Sequence, residues 1–251
     1  MMQYMGGKAR IAKDLARTML SLTAQRGVYL EPFLGGCHVL PLMAPHFELS
    51  IASDAMPDVA MLWRDALAGW VPPPTEVSRD LYVQLRHSEP SALRAFVGFG
   101  CSFGGKWFGG YATNARGDDF VAAAARGLAR KVASLDQART IIREQDYRDH
   151  TPAADTVIYC DPPYAGTTAY SGAPQWDAIE FWKTAEAWAR GGAIVFVSEY
   201  AAPEGWSSVW TKTAAVGSLK KDGNAAPITE HLFAYNPSPI TATEWLAHFG
   251  L

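Results

Sequence analysis

Four consecutive residues, Asp161-Pro162-Pro163-Tyr164, set an acceptor carboxylate, two ring-constrained carbonyls and an aromatic face side by side. Each proline fixes φ at about −65° and supplies no N–H. The residue before a proline is pushed towards extended geometry, which stiffens both Asp161 and Pro162. Such a turn suits gripping an amino group on a flat ring, with acceptors in the ring plane and Tyr164 stacked on its face. The alternative is a proline-rich turn in which Asp161 only caps the next helix.

A second group is Glu31-Pro32-Phe33-Leu34-Gly35-Gly36-Cys37, with Asp54 lying 19 residues after Gly35. Glycines at a strand-to-helix turn let a ligand approach the backbone and the helix N-terminus, and a carboxylate ending the next strand can accept ribose hydroxyls. Many nucleoside-cofactor folds share this spacing. A dinucleotide-dependent hydride-transfer enzyme is the natural competitor, but the GxGxxG pattern is absent. A cofactor without phosphate, such as S-adenosylmethionine, suits this turn with Glu31 nearby better. A turn needed only for packing remains open. Upstream, Tyr4-Met5-Gly6-Gly7-Lys8 is not a phosphate-binding loop, because no GxxxxGK[ST] frame exists and Ala9 follows the lysine.

The third group is the segment 98–117, with two cations (Lys106 and Arg116), no acidic residue and five aromatics, among them Trp107 and Tyr111. Glycine-rich backbone with aromatics suits close approach to bases. The plainer reading is a loop whose aromatics pack back onto the core.

The elements that must carry these groups alternate. Helical spacing predicts a helix over 9–25, and apolar runs predict strands at 28–30, 49–52, 140–142, 156–160 and 193–197. A short helix is predicted near 38–45, a helix near 178–190, and a hairpin from 206–213 and 230–235. The pattern points to a doubly wound α/β sheet with a largely parallel core. Nearly eighty residues between two strands are too many for a plain connection, so 57–136 reads as an inserted helical subdomain that recognises a partner. It carries predicted helices at 57–69, 78–87 and 118–135, and splits a catalytic domain of residues 1–56 and 137–251.

At 251 residues the chain is long enough for this division. The 19% of charged residues and 49% of hydrophobic ones exclude a disordered chain. No apolar run reaches the roughly 18 residues of a membrane span, and no signal-peptide core is seen. Three scattered cysteines and no HxxxH pair imply a reducing compartment and no metal site. A cytoplasmic protein without membrane or metal partners is expected. The formal net charge of −3 does not advertise nucleic-acid binding, so any such face must be local.

Tyr4–Lys8, Glu31–Gly36, Asp54 and Asp161–Tyr164, in this order, resemble the Dam-like (DPPY, alpha-group) DNA adenine methyltransferases, and Ser198-Glu199-Tyr200 is similar to a segment of phage-type members. The resemblance implies a Rossmann-like, S-adenosylmethionine-dependent methyltransferase fold with a mostly parallel seven-stranded sheet and an inserted target-recognition subdomain. It implies methylation of the 6-amino group of adenine in double-stranded DNA by base flipping and direct in-line transfer, as in restriction-modification, by a chain expected to be monomeric. Asp161, Pro162 and Tyr164 would be catalytic. Tyr4, Lys8, Phe33, Gly35, Asp54 and Asp161 would hold the cofactor, and Asp146 and Tyr147 fall, by a looser match, where related enzymes hold its adenine. Lys106, Trp107, Tyr111 and Arg116 would meet DNA. Cys37 stands where many relatives have a glycine or serine, and cysteine is small enough that the turn is expected to tolerate it.

Overall fold

A computed structural model of the chain describes residues 4–24, 26–73, 77–113, 119–164, 176–214 and 228–235. Seven strands, β1 (Val28–Glu31), β2 (Leu49–Asp54), β3 (Thr140–Glu144), β4 (Val157–Cys160), β5 (Ile194–Glu199), β6 (Trp206–Ala214) and β7 (Ile228–Tyr235), form one sheet in the order β3-β2-β1-β4-β5-β7-β6. The pairings among β1 to β5 are parallel, while β7 runs antiparallel to both β5 and β6. The expected doubly wound, mostly parallel sheet is the one observed. Each strand predicted from an apolar run appears within a few residues of its expected bounds.

Strand alternation divides the core. Tyr29, Val157, Tyr159, Phe196, Leu232 and Ala234 face one side, and Leu30, Ile158, Cys160, Val195, Val197 and Phe233 the other. Because successive side chains point to opposite faces, strands apolar at every position must be covered on both. The helices are α1 (Ala12–Ser21), α2 (Leu40–Met43), α3 (Pro57–Leu67), α4 (Arg79–Leu85), α5 (Ala92–Ala95), α6 (Phe120–Val132) and α7 (Ala178–Arg190). Leu15 and Met19 of α1 and Val59, Leu62 and Trp63 of α3 join the first face, while Phe181, Ala185 and Trp188 of α7 cover the second. The Asp177 carboxylate caps α7 by accepting from the Ile179 and Glu180 N–H groups, and Gly191 ends it.

The region 57–136 is mainly helical among its described residues. Its buried side chains, from Trp63 through Phe96 and Phe99 to Leu128, belong to the same apolar cluster as the first sheet face. An ion pair of 2.8 Å between Arg94 and the buried Asp58 ties α5 to α3. Two details differ from the sequence reading. Helix α1 starts at Ala12 rather than near 9, because the Lys8 carbonyl accepts from both Ile11 and Ala12 and makes 9–11 a turn. An unexpected helix, α5, continues into a π-helical turn at Phe96–Gly100, whose Gly98 and Gly100 had hidden it from propensity.

Candidate active site

Strand order reverses between β1 and β4, and open α/β sheets bind ligands in the crevice beyond the strand ends at such a point. A cavity of about 1250 Å³ lies there, reached by the ends of β1, β2, β4 and β5, by residues 4–8 and by the insert.

Its first wall is the turn after β1. Gly35 adopts φ of 44°, in the left-handed region, and its N–H donates to Asp54 Oδ2 at 2.9 Å. Asp54 Oδ1 accepts from the Met56 N–H at 2.9 Å, so backbone donors hold both carboxylate oxygens. Burial pushes Asp54 up to about 6 against these two bonds. Trp63 Nε1 donates to the Gly35 carbonyl at 2.9 Å, and Lys131 Nζ, reaching from α6, donates to the Gly36 carbonyl. Lys131 also lies 5.2 Å from the centre of the Trp63 ring, and burial lowers its ammonium to about 8. Cys37 has φ of 49° but is wholly buried in the core, so its thiol does not narrow the turn. Glu31 accepts from the Tyr29 hydroxyl at 2.8 Å and is pushed up to about 8 by burial.

Residues 4–8 lie across this turn. A Cβ on Gly36 would meet the Tyr4 Cβ and His38 Nε2 at 2.8 Å, and one on Gly7 would meet His38 Nε2 at 2.7 Å. Both glycines are therefore needed for this close approach. Burial, then Lys131 and Lys8, lower His38 to about 3, which keeps its ring neutral at pH 7.

The second wall is the turn after β4. Lys8 Nζ is 2.7 Å from Asp161 Oδ1 and 3.2 Å from Glu230 Oε1, and sits 4.6 Å from the centre of the Tyr164 ring. The Tyr164 hydroxyl donates to the same Glu230 oxygen at 2.5 Å, and the Tyr200 ring meets Tyr164 edge-on at 4.6 Å. Burial pulls the Lys8 pKa down, but Asp161 and Glu230 outweigh it and the net shift is upward. Burial likewise raises Asp161, with Lys8 opposing.

Tyr4, Lys8, Phe33, Gly35, Asp54, Asp161, Pro162 and Tyr164, all singled out in the sequence, thus line one cavity. Asp146 and Tyr147 do not line it. Asp146 caps the turn at 147–149 and pairs with Arg148, while Tyr147 stacks beneath Phe33 at 5.4 Å. The buried Tyr147 hydroxyl and Trp176 Nε1 have no hydrogen-bond partner among the described residues. On the insert side, Lys106 and Trp107 line the cavity. Trp107 packs on Phe99 and Phe108, and the Tyr111 hydroxyl donates to the Val77 carbonyl, so these rings turn back onto the core. Phe103 is the exception at 75% exposed. Arg116 lies outside the described residues.

Sequence reasoning missed Glu230, Arg86 and Lys131. Glu230 carried a signal, since it shares the strand parity of the buried Leu232 and Ala234 and so stands on a core-facing position. Arg86, just past the end of α4, and Lys131, in α6, stand near other cations in sequence and carried none.

No family model matches the chain, and no curated protein does either. Solved structures similar to it include a proposed methylase from Haemophilus influenzae, 9% identical over 90% of this chain and 89% of that one, with a TM-score of 0.37. A proposed RNA methyltransferase from Pyrococcus horikoshii is 10% identical over 90% and 84%, with a TM-score of 0.42. The 23S rRNA methyltransferase ErmE is 9% identical over 94% and 73%, with a TM-score of 0.39. At these values the likeness carries no argument about chemistry. The Rossmann-like α/β fold rests on the chain's own strand order. Among the described residues no helix is long and apolar enough to cross a membrane, and no group of three metal-ligating side chains occurs.

Proposed function

We propose that the chain is an S-adenosylmethionine-dependent DNA methyltransferase acting on the 6-amino group of adenine. The observation that carries this reading is the meeting, in one cavity of about 1250 Å³, of the glycine turn over Asp54 and the Asp161–Tyr164 turn. Single-ligand pockets usually measure about 300–1000 Å³, so a cofactor and a nucleotide fit here together.

The residues present fit the cofactor. It carries no phosphate, which agrees with a turn lacking a phosphate-binding loop, and it is cationic at sulfur, which agrees with the carboxylates Asp54, Asp161 and Glu230 around the cavity. Tyr4, Lys8, Phe33, Gly35, Asp54 and Asp161 would hold it. Tyr147 would act from behind Phe33, against which its ring stacks, with Asp146 beside it in the chain. When bound, the cofactor supplies an electrophilic methyl group.

The rest falls to the chain. The adenine amino nitrogen is a poor nucleophile because its lone pair is delocalised into the ring. The Asp161 carboxylate and Pro162 carbonyl would accept its hydrogens and favour a tetrahedral nitrogen with a localised lone pair. Stabilisation that grows towards the transition state is what raises the rate. Burial raises the Asp161 pKa, which suits a group that takes up the proton the nitrogen releases. Tyr164, its hydroxyl fixed by Glu230, would stack on a base extruded from the duplex. The insert, 57–136, would recognise the target through Lys106, Trp107, Tyr111 and Arg116. Arg86 at the rim and the exposed Phe103 add a cation and an apolar side chain of the kind that wedges between bases.

Incubation with methyl-labelled S-adenosylmethionine and unmethylated duplex DNA, RNA or bulk protein tests this. Label is expected in DNA; label in RNA or protein with none in DNA would overturn the reading.

A further inference from the structure

Glu230 fixes the Tyr164 hydroxyl and pairs with Lys8, and its charge has a larger consequence. It projects from β7, the penultimate position in the sheet order, on the strand face that also buries Leu232 and Ala234. Lys8, only 6% exposed, touches both Asp161 at 2.7 Å and Glu230 at 3.2 Å. Lys8 and Asp161 cancel each other's formal charge, and Glu230 leaves this partly buried cluster one negative charge in surplus. Glu31 adds little to it at pH 7, because burial pushes that carboxyl up to about 8. A surplus charge at low dielectric favours a cation nearby over a neutral molecule of the same shape.

Transfer changes the charge of the methyl donor. The sulfur–methyl bond breaks, its electron pair stays on sulfur, and the cationic sulfonium becomes a neutral thioether. The amino nitrogen forms the new bond and gives up a proton, which Asp161 takes and passes on to water, restoring the charge of the cluster. We propose that Glu230 is a positioning residue whose carboxylate, held against Lys8, makes the cavity prefer the charged methyl donor over the neutral spent product. This rests on the methyltransferase reading above. It gives the site a means of releasing product without a change of shape.

Titration calorimetry with S-adenosylmethionine and S-adenosylhomocysteine separately tests it, on the unaltered chain, Glu230→Gln and Lys8→Gln. Glutamine can still accept from the Tyr164 hydroxyl, so Glu230→Gln removes charge and little else. The ratio of donor to product affinity is expected to fall roughly five- to tenfold in Glu230→Gln. In Lys8→Gln, which removes the cation instead, the ratio is expected to rise. A merely structural Glu230 would weaken both ligands equally, and an unchanged ratio in Glu230→Gln would overturn the proposal. Should Glu230→Gln not fold, an unchanged or lower ratio in Lys8→Gln overturns it alone. Failure of the unaltered chain to bind either ligand would instead overturn the methyltransferase reading beneath it.

Discussion

Asp54 and Asp161 reach the same cavity from the ends of two strands, β2 and β4, and are held in opposite ways. Asp54 is bonded by two backbone N–H groups, those of Gly35 and Met56, so its position is set once the turn folds. Asp161 stands before two prolines that have no N–H to offer, and its partner is the Lys8 side chain, brought from near the start of the chain. Lys8 is shared in turn with Glu230 in β7, the last of the described strands. The wall proposed to hold the donor is therefore backbone-built and part of the fold, while the wall proposed to hold the target is a cluster of side-chain charges. Damage to the first is expected to cost stability and cofactor binding together, and damage to the second to cost turnover and the balance between donor and product binding.

The sharpest break is Asp161→Ala. Turnover is expected to fall by roughly 10²–10³-fold, the scale of losing one transition-state hydrogen-bonding group. The melting temperature should hardly move; retained turnover would remove Asp161 from its role. Asp54→Ala attacks the other wall, leaving the Gly35 and Met56 N–H groups without acceptors. A loss of about 2–4 kcal/mol in denaturant unfolding is expected, with weaker cofactor binding. Unchanged stability with lost turnover would erase the distinction between the walls.

Glu31 sharpens the comparison through pH. Its folded pKa, pushed up to about 8 by burial, lies above the ordinary carboxylate value, so the folded chain binds this proton more tightly. Its contribution is fully present below the unfolded pKa and is lost as pH rises towards 8. Glu31→Gln should remove this slope. Between pH 5.5 and 7.5 the unaltered chain is expected to lose about 1–2 kcal/mol relative to the variant in paired unfolding curves. Parallel curves would show that Glu31 is not the group responsible. The smallest effect belongs to the rim. Lys106→Ala should weaken duplex DNA binding several-fold and flatten its salt dependence by about one phosphate contact, leaving cofactor affinity unchanged. Equal losses of both would mark the loop as structural.

The donor wall and the Asp161 turn were legible in sequence because their logic is local. Glycines at a strand end, a carboxylate ending the next strand and two prolines after an aspartate each carry their geometry in adjacent residues. The sheet was legible for the same reason, since apolar runs such as Ile194–Val197 leave few alternatives to a buried strand. What escaped depends on distant partners. Nothing near Lys131 in the sequence shows that its ammonium reaches the Gly36 carbonyl, or that Trp63 supports the same turn. Nothing near Tyr111 shows that its hydroxyl is spent on Val77, although it stands among residues suited to nucleic acid. Glu230 falls between these cases: its strand parity marked it as inward-facing, but its partners are Lys8 and Tyr164.

The most direct measurement is to express the chain and Asp161→Ala in a host without DNA methylation and to read the modified bases in the recovered DNA. N6-methyladenine at a defined sequence is expected with the unaltered chain, and none with Asp161→Ala. Unmodified adenines throughout, methylated cytosine in their place, or N6-methyladenine persisting in the variant would contradict the proposed function.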